Sequence, residues 1–207
     1  MSRNEHKSRY GSLIRLKPEY EERYIILHKY TFPGVLRRIR DSGIRNYSIF
    51  LLNGLLFAYF EYTGSDFTGD MRLMGEDPAT RDWWKLTDPM QNPLEGRKPG
   101  DWWFDLPEVL QLNGKTAPRP ETPRTAYRIS CTGGEISAPS PAWLKEAGLR
   151  ALAVFRYESS LFGYFEHENP DSVKDRTHGQ EESGKLLRGL FPGNPEWTEM
   201  RPVFHTD

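Results

Sequence analysis

One block of this chain occurs twice, and that repeat constrains the fold more than any other feature. Residues 56–61 read LFAYFE, and residues 161–166 read LFGYFE at an offset of 105. At the same offset, residues 43–45 (GIR) match residues 148–150 (GLR). Because two separate blocks match in one register, we infer an internal duplication, in which one structural unit occurs twice.

The first copy has the element order of a ferredoxin-like domain. An alternating strand precedes a helix that begins near Pro18. Asn53 and Gly54 separate two strands rich in aromatic and branched residues, which is the strongest short-range signal for a hairpin. Asp77 and Pro78 predict the start of a second helix, and a further strand closes the unit. The order βαββαβ predicts an α+β fold.

A proline-rich stretch divides the chain. Residues 113–124, NGKTAPRPETPR, hold three prolines and alternating charges, a composition typical of an extended linker. We therefore place one ferredoxin-like unit at residues 10–112 and a degenerate second one at residues 125–207. The ends of the two units correspond, since EVLQ at residues 108–111 parallels PVFH at residues 202–205.

The second copy has lost the residues that a functional site would need. Leu152 stands at the position of Tyr47, and the tandem tryptophans at residues 83–84 correspond to Arg188 and Gly189. The segment that replaces the long first helix is too short, and too rich in proline and glycine, to form it. Core packing would require the same residues in both copies, so their joint loss favours a functional role for them.

The charge balance and the single cysteine narrow the range of partners and compartments. The 28 basic and 29 acidic residues give a net charge of -1, which supplies no basic surface for nucleic acid. Cys131 is the single cysteine, and we expect it to be structural, in a reducing compartment. Residues 1–12 lack the apolar segment of a signal peptide, and the longest apolar run, residues 49–62, is too short to span a bilayer. We expect a soluble, cytoplasmic protein.

No metal or nucleotide cofactor is expected. His6, His167, His178 and His205 lack the spacing of metal ligands, and the sequence has no glycine-rich phosphate loop. The expected partner is a small molecule, with no nucleic acid and no membrane, and further oligomerisation is left open.

Three residues of the predicted first helix recur every four positions. Tyr20, Tyr24 and His28 therefore project from one helix face. A phenol one turn before an imidazole can form an acid–base pair, because both groups give and take protons. Packing residues with satisfied polar tips would show the same spacing. Sugars present C–H faces that stack on aromatic rings, so Trp83 and Trp84 are candidate platforms for a sugar.

The first copy contains five short motifs that occur together. They are Tyr24-x-x-x-His28, SGIRNYSI at residues 42–49, LLFA at residues 55–58, RDWWK at residues 81–85 and LPEV at residues 106–109. In their order, and nearly in their spacing, these motifs resemble the L-rhamnose mutarotase family. Tyr20 matches no motif of the family, and we expect it to be a packing or rim residue.

The resemblance implies a fold, a chemistry and a set of site residues. In that family two ferredoxin-like chains pair their antiparallel sheets as a dimeric α+β barrel. Here the second copy would supply the partner sheet within one chain, as a pseudo-dimer with one competent pocket. The resemblance implies His28 as proton donor, with Tyr24, Tyr47, Trp83 and Trp84 around the substrate. The implied activity is interconversion of the α and β anomers of L-rhamnose or a related 6-deoxyhexose, by acid–base ring opening at His28 and Tyr24.

Two other functions stay open on the sequence. Barrels of this class host many chemistries, so a cofactor-independent isomerase, cyclase or monooxygenase acting on another small metabolite is the first alternative. The second is a sugar-binding module that kept the aromatic residues and lost turnover. Trp102 and Trp103 precede the closing strand of the first copy, and we expect them to pack in the core or at its rim.

Overall fold

The computed structural model describes residues 7–95, 97, 102–114, 121–130, 136, 139–168, 189–191, 193 and 195–207. The chain divides into two units, Met1–Asp105 with Arg201–Asp207, and Leu106–Met200. Some positions named above lie outside the described residues: His6, Cys131, His178, Arg188 and residues 115–120 of the predicted linker. Among the described helices, none is long and apolar enough to cross a membrane.

The first half of the chain alternates strands and helices in the predicted order. Its elements are β1 (Ser8–Leu16), α1 (Glu21–Lys29), α2 (Pro33–Asp41), β2 (Ile44–Leu52), β3 (Leu55–Tyr62), α3 (Phe67–Glu76), α4 (Pro78–Thr87), β4 (Gln91–Asn92) and β5 (Phe104–Leu106). Single turns of 3-10 helix at Pro18–Tyr20 and Asp88–Met90 lead into α1 and β4. Pro18 thus opens a 3-10 turn, and the α-helix itself begins at Glu21.

The second half of the chain contains fewer helices among its described residues. Its elements are β6 (Glu108–Asn113), β7 (Arg124–Ser130), α5 (Pro141–Glu146), β8 (Leu149–Tyr157), β9 (Ser160–His167) and β10 (Glu196–Thr206). Between β7 and β8 the described residues hold only the six-residue α5, where the first copy has α1 and α2. This agrees with the shortened segment that the sequence indicates.

Local sequence signals account for the hairpin and for the start of α4. Asn53 and Gly54 have φ angles of 50° and 72°, the left-handed conformation that a two-residue hairpin turn requires. The carboxylate of Asp77 accepts a hydrogen bond from the backbone N–H of Thr80 at 2.8 Å, and Pro78 occupies the first helical turn. Both predictions are confirmed.

Each unit contains an antiparallel sheet whose main path has five strands among the described residues, and in the first unit β5 also pairs with β1 off this path. In the first unit the order is β4-β1-β3-β2, followed by residues 201–206 of β10. In the second unit residues 196–200 of β10 are followed by β7, β9, β8 and β6. The closing strand of each predicted copy therefore pairs with strands of the other copy, and the copy boundaries at 10–112 and 125–207 stay a prediction.

The two closing strands use the same register. In the second unit Leu110 of β6 pairs with Val154 of β8, and the register shifts between Glu108 and Leu110. In the first unit Phe204 of β10 pairs with Ile49 of β2, and the register shifts between Pro202 and Phe204. Ile49 and Val154 are related by the offset of 105 that relates the repeated blocks. An internal duplication would produce this correspondence.

The helices of the first unit cover one face of its sheet. Side chains of β1, β2, β3 and α1 form one buried cluster, which includes Ile14, Leu16, Tyr24, Ile25, Ile49, Leu51, Leu56 and Met90. A neighbouring cluster joins α2 to α4 through Val35, Ile39, Ile44 and Trp83. The candidate site residues lie where these two clusters meet.

The contact between α2 and α4 depends on a glycine. A Cβ at Gly34 would lie 2.7 Å from the Cβ of Ala79, closer than packed carbon atoms approach. We predict that Gly34→Ala lowers the free energy of unfolding by about 1–3 kcal/mol, because one helix must move. Urea unfolding followed by circular dichroism measures the change.

Gly75 supplies the matched control for this substitution. It also lies in a helix, but a Cβ there would meet only the Trp84 ring, at an ordinary 3.8 Å. Gly75→Ala is expected to leave stability unchanged or to raise it by up to about 1 kcal/mol through helix propensity. Equal effects of the two substitutions would contradict the predicted steric cause.

Candidate active site

Tyr24 and His28 lie side by side on the buried face of α1. Their spacing of one helical turn brings the ring centroids to 4.1 Å, with the planes inclined at 35°. Tyr24 is 1% exposed and His28 is 7% exposed. Tyr20, one turn earlier, is half-buried and packs against the cluster that contains Tyr24. The structure therefore places a phenol and an imidazole in one desolvated environment.

The neighbours of His28 determine its charge and its tautomer. Its Nδ1 lies 2.9 Å from the backbone carbonyl oxygen of Tyr24. A carbonyl oxygen only accepts hydrogen bonds, so Nδ1 carries the proton and Nε2 holds a lone pair in the neutral ring. Burial lowers the pKa of His28 to about 4, and the carbonyl contact offsets part of this effect. His28 is therefore a neutral base near pH 7.

The neighbours of Tyr24 keep its phenol protonated. Burial raises the pKa of the Tyr24 phenol well above its usual value, with a further contribution from nearby Tyr47. The side-chain amide of Gln91 donates a hydrogen bond to the phenol oxygen at 3.1 Å, which acts in the other direction. Tyr24 thus keeps its proton at neutral pH, beside an imidazole that lacks one at Nε2.

Tyr47 and Trp83 form two walls around this pair. Tyr47 is half-buried on β2, and burial raises the pKa of its phenol. Trp83 is 7% exposed, and its ring meets His28 edge-on at 5.1 Å between centroids. Because this contact joins α4 to α1, both helices must lie on the same side of the sheet.

Trp84 does not share the position of its neighbour. Adjacent helical residues point about 100° apart, and Trp84 lies over Gly75 of α3 with 39% of its surface exposed. Within the described part of the chain, no ring contact joins Trp84 to His28, Tyr24 or Tyr47. The tandem tryptophans thus divide into a buried wall residue and an exposed ring.

Phe204 lies at the site although no motif of the sequence predicts it there. Its ring contacts His28 at 5.7 Å and Tyr47 at 5.5 Å between centroids, edge-on in both cases. Phe204 reaches this position because residues 201–206 pair with β2, far from it in sequence. The correspondence between PVFH and EVLQ was the available signal, but it gave no information on which strand would be the partner.

Gln91 was also missed, for a similar reason. It lies on β4, whose two residues pair with the end of β1, and its side chain is 6% exposed. A glutamine in a loop-like stretch after proline carries no pattern that marks it as buried. The burial follows from the pairing of Gln91 with Leu16.

The two tryptophans that precede β5 differ in burial. Trp103 is half-buried against the cluster that contains Tyr24, and Trp102 is 37% exposed. Arg97 donates a hydrogen bond to the Trp103 carbonyl and lies over the Phe104 ring at 4.8 Å. Among the described residues, no group of three His, Cys, Asp or Glu side chains is arranged to hold a metal ion.

Comparison with known proteins identifies the family. A sequence profile of L-rhamnose mutarotases matches residues 9–112. The chain belongs to the L-rhamnose mutarotase family. The mutarotase of Ligilactobacillus salivarius is 31% identical over 110 residues, which are 51% of this chain and 97% of that protein. The mutarotase of Lactiplantibacillus plantarum is 30% identical over 107 residues, which are 51% of this chain and 98% of that protein.

Solved structures support the predicted fold class. A putative monooxygenase from Lactobacillus acidophilus has a TM-score of 0.54 and 8% identity, and the match covers 96% of each chain. A putative monooxygenase from Fusobacterium nucleatum has a TM-score of 0.52 and 10% identity, over 97% of this chain and 94% of that one. The predicted class, α+β with ferredoxin-like antiparallel sheets of the dimeric α+β barrel type, is confirmed.

The buried histidine makes stability depend on pH. Since the pKa of His28 is about 4 in the folded chain and takes its ordinary value of 6.5 in the unfolded one, the unfolded chain binds the extra proton between these values. We predict that His28 contributes stability that is complete above pH 6.5 and declines as the pH falls toward 4, by roughly 3 kcal/mol. Urea unfolding at a series of pH values measures this.

His28→Phe is the matched variant for this measurement. It keeps a ring of similar shape in the same environment and removes the titrating group. The variant should lose the His28 component of the pH dependence and keep that of the other groups. If the free energy of unfolding depends on pH between about pH 4 and pH 6.5 in the same way in His28→Phe and in the unsubstituted chain, His28 is equally protonated in the folded and the unfolded states. That result would contradict the prediction.

Proposed function

We propose that this chain is a mutarotase that interconverts the α and β anomers of L-rhamnose or a related 6-deoxyhexose. The observation that carries the proposal is the buried Tyr24–His28 pair, with ring centroids 4.1 Å apart. Membership of the L-rhamnose mutarotase family supports a sugar isomerase activity.

The chemistry of anomer exchange needs two proton transfers close together. The hydroxyl at the anomeric carbon loses a proton, and the ring oxygen gains one. Both oxygens are bonded to the same carbon, so the base and the acid must lie side by side. Tyr24 and His28 meet this requirement, and general acid–base help is worth about 10²–10⁴-fold in rate.

His28 can serve in both directions of the reaction. Its lone pair at Nε2 takes the proton of the anomeric hydroxyl when the ring opens, because Nδ1 is committed to the Tyr24 carbonyl. When the ring closes on the other face, the imidazolium returns that proton. The donor role that the family resemblance implies for His28 is thus the second half of its cycle.

The walls of the site are suited to a sugar with an apolar side. Tyr47, Trp83 and Phe204 surround the pair with aromatic surface. Such rings stack on C–H faces, and they also suit the methyl group of a 6-deoxyhexose. The exposed ring of Trp84 lies next to Trp83 along α4, where it can contact a sugar at the rim.

NMR saturation transfer between the anomeric protons of L-rhamnose tests the proposal. The purified chain should raise the exchange rate above that of the sugar alone. His28→Gln should lower the enzymatic rate by roughly 10²–10⁴-fold, because the base at Nε2 is lost. Tyr30→Ala is the control at the end of the same helix, since Tyr30 is 76% exposed, and its rate should not change.

The other candidate functions give different results in the same experiment. Binding of L-rhamnose without exchange would overturn the enzymatic proposal and favour a sugar-binding module. Neither binding nor exchange, with any 6-deoxyhexose, would favour another enzyme of the α+β barrel class. Exchange that survives His28→Gln would contradict the assigned base.

The proposed role of Phe204 predicts an effect on substrate binding. Phe204→Leu introduces the residue type that stands at Leu110, the matching position of the second sheet. We expect KM for L-rhamnose to rise roughly tenfold, with kcat within a factor of about three, because the ring supplies a wall and no proton. Exchange rates measured over a range of sugar concentrations separate the two constants. Pro202→Ala, at an exposed position of the same strand, is the control and should change neither constant. A fall in kcat alone in Phe204→Leu would contradict the assignment of Phe204 as a wall.

A further inference from the structure

Gln91 is a buried polar residue with a defined partner in the site. Its strand, β4, is anchored by antiparallel pairing with Leu16 and by the hydrogen bond from the Lys17 N–H to the Met90 carbonyl at 2.9 Å. The side chain is 6% exposed, and its Nε2 lies 3.1 Å from the Tyr24 phenol oxygen. No family motif noted in the sequence includes this residue.

The direction of this hydrogen bond decides where the Tyr24 proton points. An amide nitrogen only donates, so the phenol oxygen is the acceptor of the contact with Gln91. The phenol's own hydrogen must then be directed to another acceptor. The Nδ1–H of His28, the other member of the pair, donates its hydrogen bond to the backbone carbonyl of Tyr24. The Tyr24 hydroxyl is therefore left to donate to a group other than Gln91, and His28 Nε2 is left with a lone pair.

We propose that Gln91 is a positioning residue that makes Tyr24 the acid of the reaction and stabilises the phenolate formed when the ring opens. This inference rests on the proposed function, because it assigns a step of the same reaction. In this assignment the Tyr24 hydroxyl is the first proton donor and His28 Nε2 is the first proton acceptor.

The step balances without any further reactant. The proton of the anomeric hydroxyl passes to His28 Nε2, and the electrons of that O–H bond form the carbonyl of the open sugar. The bond between the anomeric carbon and the ring oxygen breaks, its electrons stay on that oxygen, and the Tyr24 proton joins them. An open-chain aldehyde, an imidazolium and a phenolate result. Rotation of the aldehyde and the reverse transfers give the other anomer.

A hydrogen bond from Gln91 favours this step because it strengthens as charge develops. Donors to an ionised oxygen bind roughly twice as strongly as donors to a neutral one. The contact with Gln91 also lowers the Tyr24 pKa, against the effects of burial and Tyr47. It therefore selectively stabilises the open, charged state, as preorganised donors do at other developing oxyanions.

Two variants of Gln91 test the proposal in the full chain with L-rhamnose. Gln91→Met keeps the length of the side chain and removes the donor, so kcat should fall roughly 10- to 100-fold with KM within about threefold. Gln91→Glu replaces the donor with a carboxylate that captures the Tyr24 hydrogen. Its exchange rate should be low near pH 8 and rise as the pH is lowered toward about 5, because protonation restores a donor. Asn92→Ala removes an exposed amide from the same strand and should change nothing.

A readout without turnover keeps this inference separate from the proposed function. In the chain labelled with 13Cζ-tyrosine, the Tyr24 signal should shift in Gln91→Met and stay in place in Asn92→Ala. An unshifted Tyr24 signal overturns the inference, whether or not the chain exchanges anomers. If the unsubstituted chain exchanges anomers, full activity of Gln91→Met, or of Gln91→Glu near pH 8, also overturns it. If the unsubstituted chain does not exchange anomers, the proposed function is overturned, and the acid role of Tyr24 is overturned with it. A shifted Tyr24 signal would in that case show only the hydrogen bond from Gln91 to Tyr24.

Discussion

The antiparallel pairing of residues 201–206 with β2 completes the first sheet and its site together. Without this partner β2 would present a row of unpaired backbone N–H and C=O groups at the edge of the sheet. The pairing satisfies that edge, and its register sets Phe204 opposite Ile49, within ring contact of His28 and Tyr47. A contact made for backbone hydrogen bonds therefore also supplies an aromatic wall, which links the stability of the sheet to the shape of the site.

Burial gives Tyr24 and His28 complementary roles in proton transfer. Buried polar groups need hydrogen-bond partners, and the identity of each partner decides where the proton sits. A carbonyl beside His28 leaves Nε2 as the acceptor, while an amide beside Tyr24 leaves its hydroxyl as the donor. Desolvation lowers the pKa of His28 and raises the pKa of Tyr24, so both side chains stay neutral near pH 7. This combination is what a two-proton reaction on adjacent oxygens requires.

The second unit has the same strand register and different side chains at the corresponding positions. Leu110 and Leu152 stand where the first unit has Phe204 and Tyr47, and both pack with its buried core. A position that holds no ligand can be filled by apolar side chains, which stabilise the unit through burial. The interpretation of one functional and one structural copy is consistent with this, and the duplication itself stays an inference from the repeated sequence and the shared register.

The sequence by itself determined the features that depend on contacts between near neighbours. The turn at Asn53 and Gly54, the cap at Asp77 and the shared face of Tyr24 and His28 all follow from residues a few positions apart, and so they were predictable. The family motifs added Tyr47 and Trp83, which the fold brings to the same pair. Only the tertiary structure decided that Gln91 is buried, that Phe204 lines the site and that Trp83 is buried while Trp84 is exposed. Those outcomes depend on strand pairing across long separations and on which helix face is covered, and the His28 tautomer depends on the direction of a carbonyl group. Local sequence carries the first kind of information, and the packed fold carries the second.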